Sequence, residues 1–159
     1  MKIGLCGTMS VGKTTLVNAL KETEQFKDYM FRTERSKFLM EQGIPLNTDS
    51  TLKGQTVFLA ERCAELIQPN IITDRTVIDV MAFTMNAKSI AYQDKEAFEE
   101  YAKEFIREYD YIFYTDNTFC VNSPKSGLGF DELCWGLGWI LLHGSIIYNT
   151  EKQILKCSN

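Results

Sequence analysis

The sequence has few of the residues that mark fibrous, secreted or zinc-stabilised proteins. Its 159 residues include 3 prolines and 10 glycines, too few for a fibrous or low-complexity chain. The five cysteines are widely spaced and form no CxxC pair, so we expect neither a disulfide framework nor a zinc site. Cysteines used in this way favour a reducing compartment, and we therefore expect a cytoplasmic protein.

Long apolar runs and an excess of positive charge are also missing. The longest apolar stretch, residues 135–148, is interrupted by three glycines and His143 and is shorter than the about 20 residues of a spanning helix. Glycine also interrupts the first apolar run, so the N-terminus has no secretory pattern. The net charge of −4 argues against a protein that coats nucleic acid through a basic surface. We expect no membrane and no sequence-specific nucleic acid among its partners.

Short apolar runs alternate along the chain with segments of helical periodicity. This alternation is typical of a parallel sheet covered by helices on both faces. We predict one α/β domain over residues 1–159, a three-layer α/β/α sandwich with a mostly parallel sheet of about five strands, whose order the pattern does not reveal. The predicted strands cover residues 3–6, 29–31, 71–73, 111–115 and 145–148. The predicted helices cover residues 14–23, 35–42, 51–67, 76–88 and 95–109, and a short last helix starts at Thr150.

One motif has a specific chemical meaning. Residues 7–14 match the phosphate-loop (P-loop, Walker A) pattern G-x-x-x-x-G-K-[ST], directly after a predicted strand and directly before a predicted helix. Its glycines let backbone N–H groups close around phosphate oxygens, Lys13 reaches the β- and γ-phosphates, and the Thr14 hydroxyl is suited to Mg²⁺. We predict that ATP with Mg²⁺ binds here. The residues expected to hold the nucleotide are Gly7, Thr8, Met9, Ser10, Val11, Gly12, Lys13, Thr14 and Thr15.

Two polar segments follow the second and third predicted strands. Arg32-Thr33-Glu34-Arg35 comes after the second strand, and Thr73-Asp74-Arg75-Thr76 comes at the end of the third. Ligands of open α/β sheets bind at the carboxyl ends of the strands. We therefore expect Lys13, Glu34 and Asp74, with the arginines beside them, to converge on one cleft.

These segments resemble motifs of the P-loop nucleoside and nucleotide kinases, a branch that includes thymidylate kinases, deoxynucleoside kinases, nicotinamide-riboside kinase-like domains and phage deoxynucleotide kinases. Arg32-x-Glu34 resembles the Arg-Glu pair of thymidylate kinases and the glutamate that deoxynucleoside kinases use as a base for the sugar hydroxyl. Asp74-Arg75-Thr76 resembles the acidic-Arg-polar motif after their third strand. Gln55 and Arg62 lie on the helix where such kinases place residues that read the base. The resemblance covers roughly residues 1–115.

The resemblance implies a P-loop NTPase fold, a kinase and a small-molecule nucleoside or nucleotide substrate. The catalytic residues it implies are Lys13, Glu34, Asp74 and Arg75, and the metal ligands are Thr14 and Asp74. The substrate-binding residues it implies are Arg32, Glu34, Arg35, Gln55, Arg62 and Arg75. Asp116 ends the fourth predicted strand as a Walker B aspartate would, so it competes with Asp74 for the metal.

The charged residues of the expected cleft bear on the acceptor in two opposite ways. Four arginines near the expected cleft favour a nucleoside monophosphate, with a deoxynucleotide as one candidate, because guanidinium groups bind phosphate bidentately. Glu34 favours a nucleoside instead, because the hydroxyl of a nucleoside needs a base to accept its proton.

The C-terminal part departs from the family pattern. Such kinases usually carry an arginine-rich lid, whereas no arginine follows Arg107 here, so the segment from about residue 116 is atypical. An ATP-hydrolysing switch, a degenerate nucleotide-binding module and a homodimer remain open alternatives.

Overall fold

Five parallel strands form one sheet in the computed structural model, which describes residues 1–7, 12–33, 35–45, 49–115 and 154–156. The strands lie side by side in the order β2-β3-β1-β4-β5. Every neighbouring pair is parallel, so all five strands end at the same edge of the sheet. In chain order they are β1 (Lys2–Gly7), β2 (Met30–Arg32), β3 (Ile71–Asp74), β4 (Tyr111–Thr115) and β5 (Ile154–Lys156).

Helices cover both faces of this sheet. They are α1 (Lys13–Lys21), α2 (Ser36–Glu41), α3 (Leu52–Glu65), α4 (Val77–Asn86) and α5 (Tyr92–Ile106). On one face Val17 of α1 packs on Ile3, Leu5 and Ile72, and on the other face α3, α4 and α5 form a larger core. None of the described helices combines the length and the apolar character needed to cross a bilayer. The predicted α/β fold with a parallel sheet and helices on both faces is therefore confirmed.

The two strands that position the site are buried on both sides. All residues of β3 are buried, and in β1 only Lys2 is not. Burial on both faces explains why Ile3–Cys6 and Ile71–Ile72 are recognisable as continuous apolar runs, since no residue of such a strand alternates towards solvent. Asp74, at the carboxyl end of β3, is only 1% exposed although it is an acid. A carboxylate buried to this degree requires polar partners.

The C-terminal strand differs from the prediction. The fifth strand of the structure is Ile154–Lys156, whereas the predicted strand at 145–148 lies outside the described residues. The prediction of a short helix from Thr150 is wrong over residues 154–156. These residues form a strand that pairs in parallel with Ile112–Tyr114 of β4. Pairing with an open sheet edge satisfies the backbone groups of this short segment, and that long-range interaction overrides a local helix-capping pattern.

Gly4 lies where β1 passes closely beside two buried side chains. A Cβ atom on Gly4 would be 2.5 Å from Cγ2 of Thr76 and 2.9 Å from Cε1 of Tyr109. Both neighbours are almost fully buried and have no space into which to move. We expect Gly4→Ala to lower the free energy of unfolding by about 1–3 kcal/mol, as overpacked core substitutions do, measured by urea denaturation.

Gly43→Asn is the control for this substitution. Gly43 follows α2 with a φ of +78°, and a Cβ there would meet nothing within 4 Å. Asparagine tolerates left-handed backbone, so we expect a loss below about 1 kcal/mol. A Gly4→Ala protein as stable as the parent would contradict the close packing of β1 against Thr76 and Tyr109.

Candidate functional site

The carboxyl ends of β1 and β3 create the candidate site. The two strands are neighbours, with Leu5 paired to Asp74, so the residues that follow each of them meet at one edge of the sheet. The chain leaves β1 through α1 on one face and leaves β3 through α4 on the other face. Crossovers on opposite faces of adjacent strands open a crevice between them, and this is where α/β proteins bind ligands.

Gly7, the first residue of the P-loop, connects the two strand ends. Its carbonyl oxygen accepts hydrogen bonds from Lys13 Nζ at 3.0 Å and from Arg75 Nη1 at 3.2 Å. The Gly7 N–H donates to Asp79 Oδ1 at 3.1 Å. The φ of Gly7 is +137°, in a region that residues with a Cβ rarely adopt. The glycine thus brings a lysine from α1 and an arginine from the β3–α4 turn to one point.

Thr14 and Asp74 meet beside this point. The Thr14 hydroxyl donates a hydrogen bond to Asp74 Oδ2 across the gap between α1 and β3. A hydroxyl and a carboxylate are the oxygen ligands that Mg²⁺ takes in phosphate sites, where water and phosphate oxygens complete its octahedron. The described residues contain no group of three His, Cys, Asp or Glu side chains that would hold a metal without phosphate. The donor set therefore fits a magnesium ion that binds together with a nucleotide.

Arg75 has the most unusual backbone of the site. Its φ is +103°, and it is the only residue other than glycine with a positive φ among those that the structure describes. Such a conformation costs about 1–3 kcal/mol and persists only where surrounding contacts hold it. The backbone N–H of Arg75 donates to Leu5 O, and the guanidinium lies over the ring of Phe83 at 5.5 Å. In this conformation the guanidinium of Arg75 lies at the first residue of the P-loop, where it donates to the carbonyl of Gly7.

Asp79 is a residue of the site that the sequence analysis does not identify. Its carboxylate accepts from Gly7 N–H and Arg75 Nη1 and also from the backbone and hydroxyl of Thr76. With Thr76, it forms a capping box at the start of α4. The spacing Thr76-x-x-Asp79 before an apolar helix is the signal that could have revealed the capping role.

A second group of charged residues lies between β2 and α3. Arg62 Nη2 is 3.0 Å from Glu65 Oε1, and Arg35 Nη1 is 3.6 Å from Glu61 Oε1. Burial raises the pKa of Glu65, while the charges of Arg62, Arg32 and Arg35 oppose that shift. The four charged groups and Arg32 therefore form one cluster, which we call the α3 cluster (Arg32, Arg35, Glu61, Arg62 and Glu65).

The predicted substrate residues take three different positions. Gln55 and Arg62 are each 3% exposed and lie seven residues apart on α3. Arg32 is exposed at the end of β2, and Arg35 lies just before α2. Arg75 is at the P-loop rather than in the α3 cluster.

Several predicted site residues fall outside the described part of the chain. Glu34, the loop residues Thr8 to Val11 and the alternative metal ligand Asp116 belong to this group. Gly12 is described and caps α1 with a φ of +84°, and Thr15 is exposed in the first turn of α1. The choice between Asp74 and Asp116 therefore stays a prediction, with Asp74 in contact with Thr14.

Cys6 lies directly before Gly7 and is buried in the core. It is fully buried, and burial raises the pKa of its thiol well above the usual value, an effect that Asp79 reinforces and that Lys13 and Arg75 oppose. A thiol with a raised pKa remains protonated near neutral pH, and the thiolate is the reactive form. Cys6 therefore contributes a small side chain to the core.

Neither a family model nor a curated protein matches the sequence. Solved structures do match it. The structure of deoxyadenosine kinase from M. mycoides with bound dCTP matches with a TM-score of 0.66 and 18% sequence identity. The match covers 98% of this chain and 90% of that chain. The structure of thymidylate kinase from Ehrlichia chaffeensis matches with a TM-score of 0.61 and 15% sequence identity. The match covers 100% of this chain and 88% of that chain.

A third match is the NadR protein in complex with NR. It has a TM-score of 0.67 at 16% identity, and the match covers 94% of this chain and 42% of that protein. Sequence identities this low show a likeness of fold alone, and each of the three structures shares its fold with this chain. The chain has the fold of the P-loop nucleoside and nucleotide kinases, as the resemblance of its motifs predicts.

Proposed function

We propose that this protein transfers the γ-phosphoryl group of ATP to a hydroxyl group of a nucleoside or to the phosphate group of a nucleoside monophosphate. The observation that supports this most is the convergence of Lys13 and Arg75 on Gly7, next to the Thr14–Asp74 contact. Phosphoryl transfer requires mainly positioning and neutralisation of charge on the phosphates. Two buried cations beside a P-loop meet that requirement.

The donor side of the site would hold the triphosphate. Backbone N–H groups of the P-loop and the N-terminus of α1 suit phosphate oxygens, and Lys13 would exchange its hydrogen bond with Gly7 for the β- and γ-phosphates. Thr14 and Asp74 would hold Mg²⁺. When bound, this ion neutralises charge on the phosphate oxygens.

The reaction that these residues would support is a direct displacement at the γ-phosphorus. The acceptor oxygen forms a bond to phosphorus, the bond to the oxygen that bridges the β- and γ-phosphates breaks, and ADP leaves. The proton of the acceptor hydroxyl passes to a base, for which Glu34 is our candidate because it follows β2 in the chain and β2 is paired with β3. Arg75 would neutralise charge that develops on the transferred group.

The α3 cluster supports the acceptor side of the proposal. Arg62 is buried, and its Nε and Nη1 atoms have no hydrogen-bond partner among the described residues. Buried donors of this kind are costly unless a ligand or water satisfies them. A nucleobase offers acceptors for a guanidinium, and Gln55 is buried on the same helix.

The ion pairs favour a nucleoside over a monophosphate. Arg35 is paired with Glu61, Arg62 with Glu65 and Arg75 with Asp79. A monophosphate brings about two negative charges, and these carboxylates already neutralise most of the guanidinium charge that would have to bind it. We therefore propose a nucleoside acceptor, although the number of arginines in the sequence favours the monophosphate.

The first prediction concerns nucleotide binding. ATP with Mg²⁺ at about 100 times its Kd should stabilise the protein by about 2.7 kcal/mol, which raises Tm by several degrees. In Lys13→Ala this shift should nearly vanish, because the cation that reaches the β- and γ-phosphates is lost. Lys27→Ala is the matched control, since Lys27 is exposed and pairs with Glu24. A Lys13→Ala protein with the full shift would contradict the assigned role.

The second prediction decides the acceptor. With a nucleoside acceptor, Glu34→Gln should lower kcat by about 10²–10⁴-fold because the base is lost. Arg32→Ala and Arg35→Ala should then change the KM of the acceptor by no more than about threefold, since a nucleoside has no phosphate for these exposed guanidinium groups to bind. Arg107→Ala is the control, because Arg107 is an exposed arginine that pairs with Glu104 on α5. Large increases in KM for both arginine variants, with activity retained in Glu34→Gln, would establish the monophosphate instead.

A further inference from the structure

We propose that Asp79 is a positioning residue that holds Arg75 and the first P-loop residue in place for phosphoryl transfer. The proposal rests on the proposed function, since it gives Arg75 its role at the transferred phosphate. It assigns Asp79 a task beyond the capping of α4. Asp79 itself would touch neither substrate, because both of its carboxylate oxygens already accept hydrogen bonds from Gly7, Arg75 and Thr76.

The two oxygens of the Asp79 carboxylate have different partners. Oδ1 accepts from Gly7 N–H at 3.1 Å and from Arg75 Nη1 at 3.2 Å. Oδ2 accepts from the backbone N–H of Thr76 at 2.7 Å and from its hydroxyl at 3.0 Å. One oxygen therefore caps α4, and the other holds two groups of the site.

Capping alone does not explain a buried negative charge at this position. Asp79 is 2% exposed, and the third position of a capping box is equally served by a neutral glutamine. Burying a carboxylate is unfavourable unless a cation and further hydrogen bonds compensate it. Arg75 is the cation that compensates it here, so the charge of Asp79 is accounted for by the position of Arg75.

Arg75 depends on this support because its own backbone is strained. With a φ of +103°, it needs contacts that hold the turn between β3 and α4. Its guanidinium is held by Asp79, by the carbonyl of Gly7 and by the ring of Phe83. Among these three contacts, only Asp79 supplies a full negative charge.

Asp79 also defines where the phosphate-binding part of the loop begins. The N–H of Gly7 points to Asp79 Oδ1, so phosphate oxygens would be bound by amides that follow Gly7. The same oxygen fixes Arg75, which sets the distance between the start of the loop and the guanidinium. Asp79 thus aligns the two parts of the site that face the triphosphate from β1 and from β3.

The test compares Asp79→Asn with Thr76→Ala. An asparagine offers one oxygen and one NH₂ group, so it can retain the cap only by placing the NH₂ group against Gly7 N–H and Arg75. Thr76→Ala weakens the cap and leaves Oδ1 with both of its partners. We expect the two substitutions to lower Tm by similar amounts. Only Asp79→Asn should lower kcat, by about 10–10³-fold. Its KM for ATP should stay within about threefold of the parent value.

Two further measurements show whether Asp79 acts through Arg75. The double variant Asp79→Asn/Arg75→Met should be no less active than Arg75→Met alone. When two residues act as one unit, the losses of activity caused by their substitutions do not add up. In NMR spectra of the parent protein, the Arg75 guanidinium resonances, assigned by their loss in Arg75→Met, should be protected from exchange and should move or broaden in Asp79→Asn. Additive losses, or unchanged Arg75 resonances, would overturn the proposal.

The NMR measurement keeps the two proposals separate. If the parent protein phosphorylates no acceptor, the proposed function fails, and the Arg75 resonances still report whether Asp79 holds the arginine. If Asp79→Asn does not fold, Asp79→Glu replaces it, because glutamate is the usual residue at this capping position and retains the charge. We then expect kcat within about tenfold of the parent. A folded Asp79→Glu protein as inactive as Arg75→Met would overturn the proposal.

Discussion

The hydrogen bonds of one backbone unit, Gly7, are the interaction on which the rest of the site depends. Its carbonyl oxygen accepts from Lys13 and Arg75, and its N–H donates to Asp79. Gly7 can make all three bonds because β1 lies between β3 and β4 in a parallel sheet, which places residues from two different βα units beside its last residue. A side chain at this position would strain the backbone, since its φ is +137°.

The site is also organised by charge. Lys13, Asp74, Arg75 and Asp79 are each less than 10% exposed, and they form two cations and two anions in one buried group. Burying charges is unfavourable unless they are paired, and removal of one partner leaves the other uncompensated. The cations are therefore held in place by protein groups rather than by solvent. Charges fixed in this way need little reorganisation when charge develops on a transferred phosphoryl group.

Local patterns in the sequence were sufficient to predict the alternation of strands and helices and the convergence of Lys13 and Arg75 at one edge of the sheet. The last of these followed from the rule that parallel strands end at one edge. The role of Asp79 at the site could not be predicted, because its partner Gly7 is 72 residues away. The pairing of Arg35 with Glu61 likewise depends on how α3 packs. The strand Ile154–Lys156 is too short to show a periodicity and is defined by its pairing with β4.

The most direct test of phosphoryl transfer is ³¹P NMR of the protein with ATP, Mg²⁺ and a mixture of nucleosides. We expect the γ-phosphate signal of ATP to decrease while a phosphomonoester signal and the signals of ADP increase in equal amounts. Such a result means that the γ-phosphoryl group has moved to a nucleoside hydroxyl. An increase of inorganic phosphate alone would identify an ATP-hydrolysing protein, and an unchanged spectrum would mean that no nucleoside in the mixture accepts the phosphoryl group. Either of these results would contradict the proposed transfer to a nucleoside.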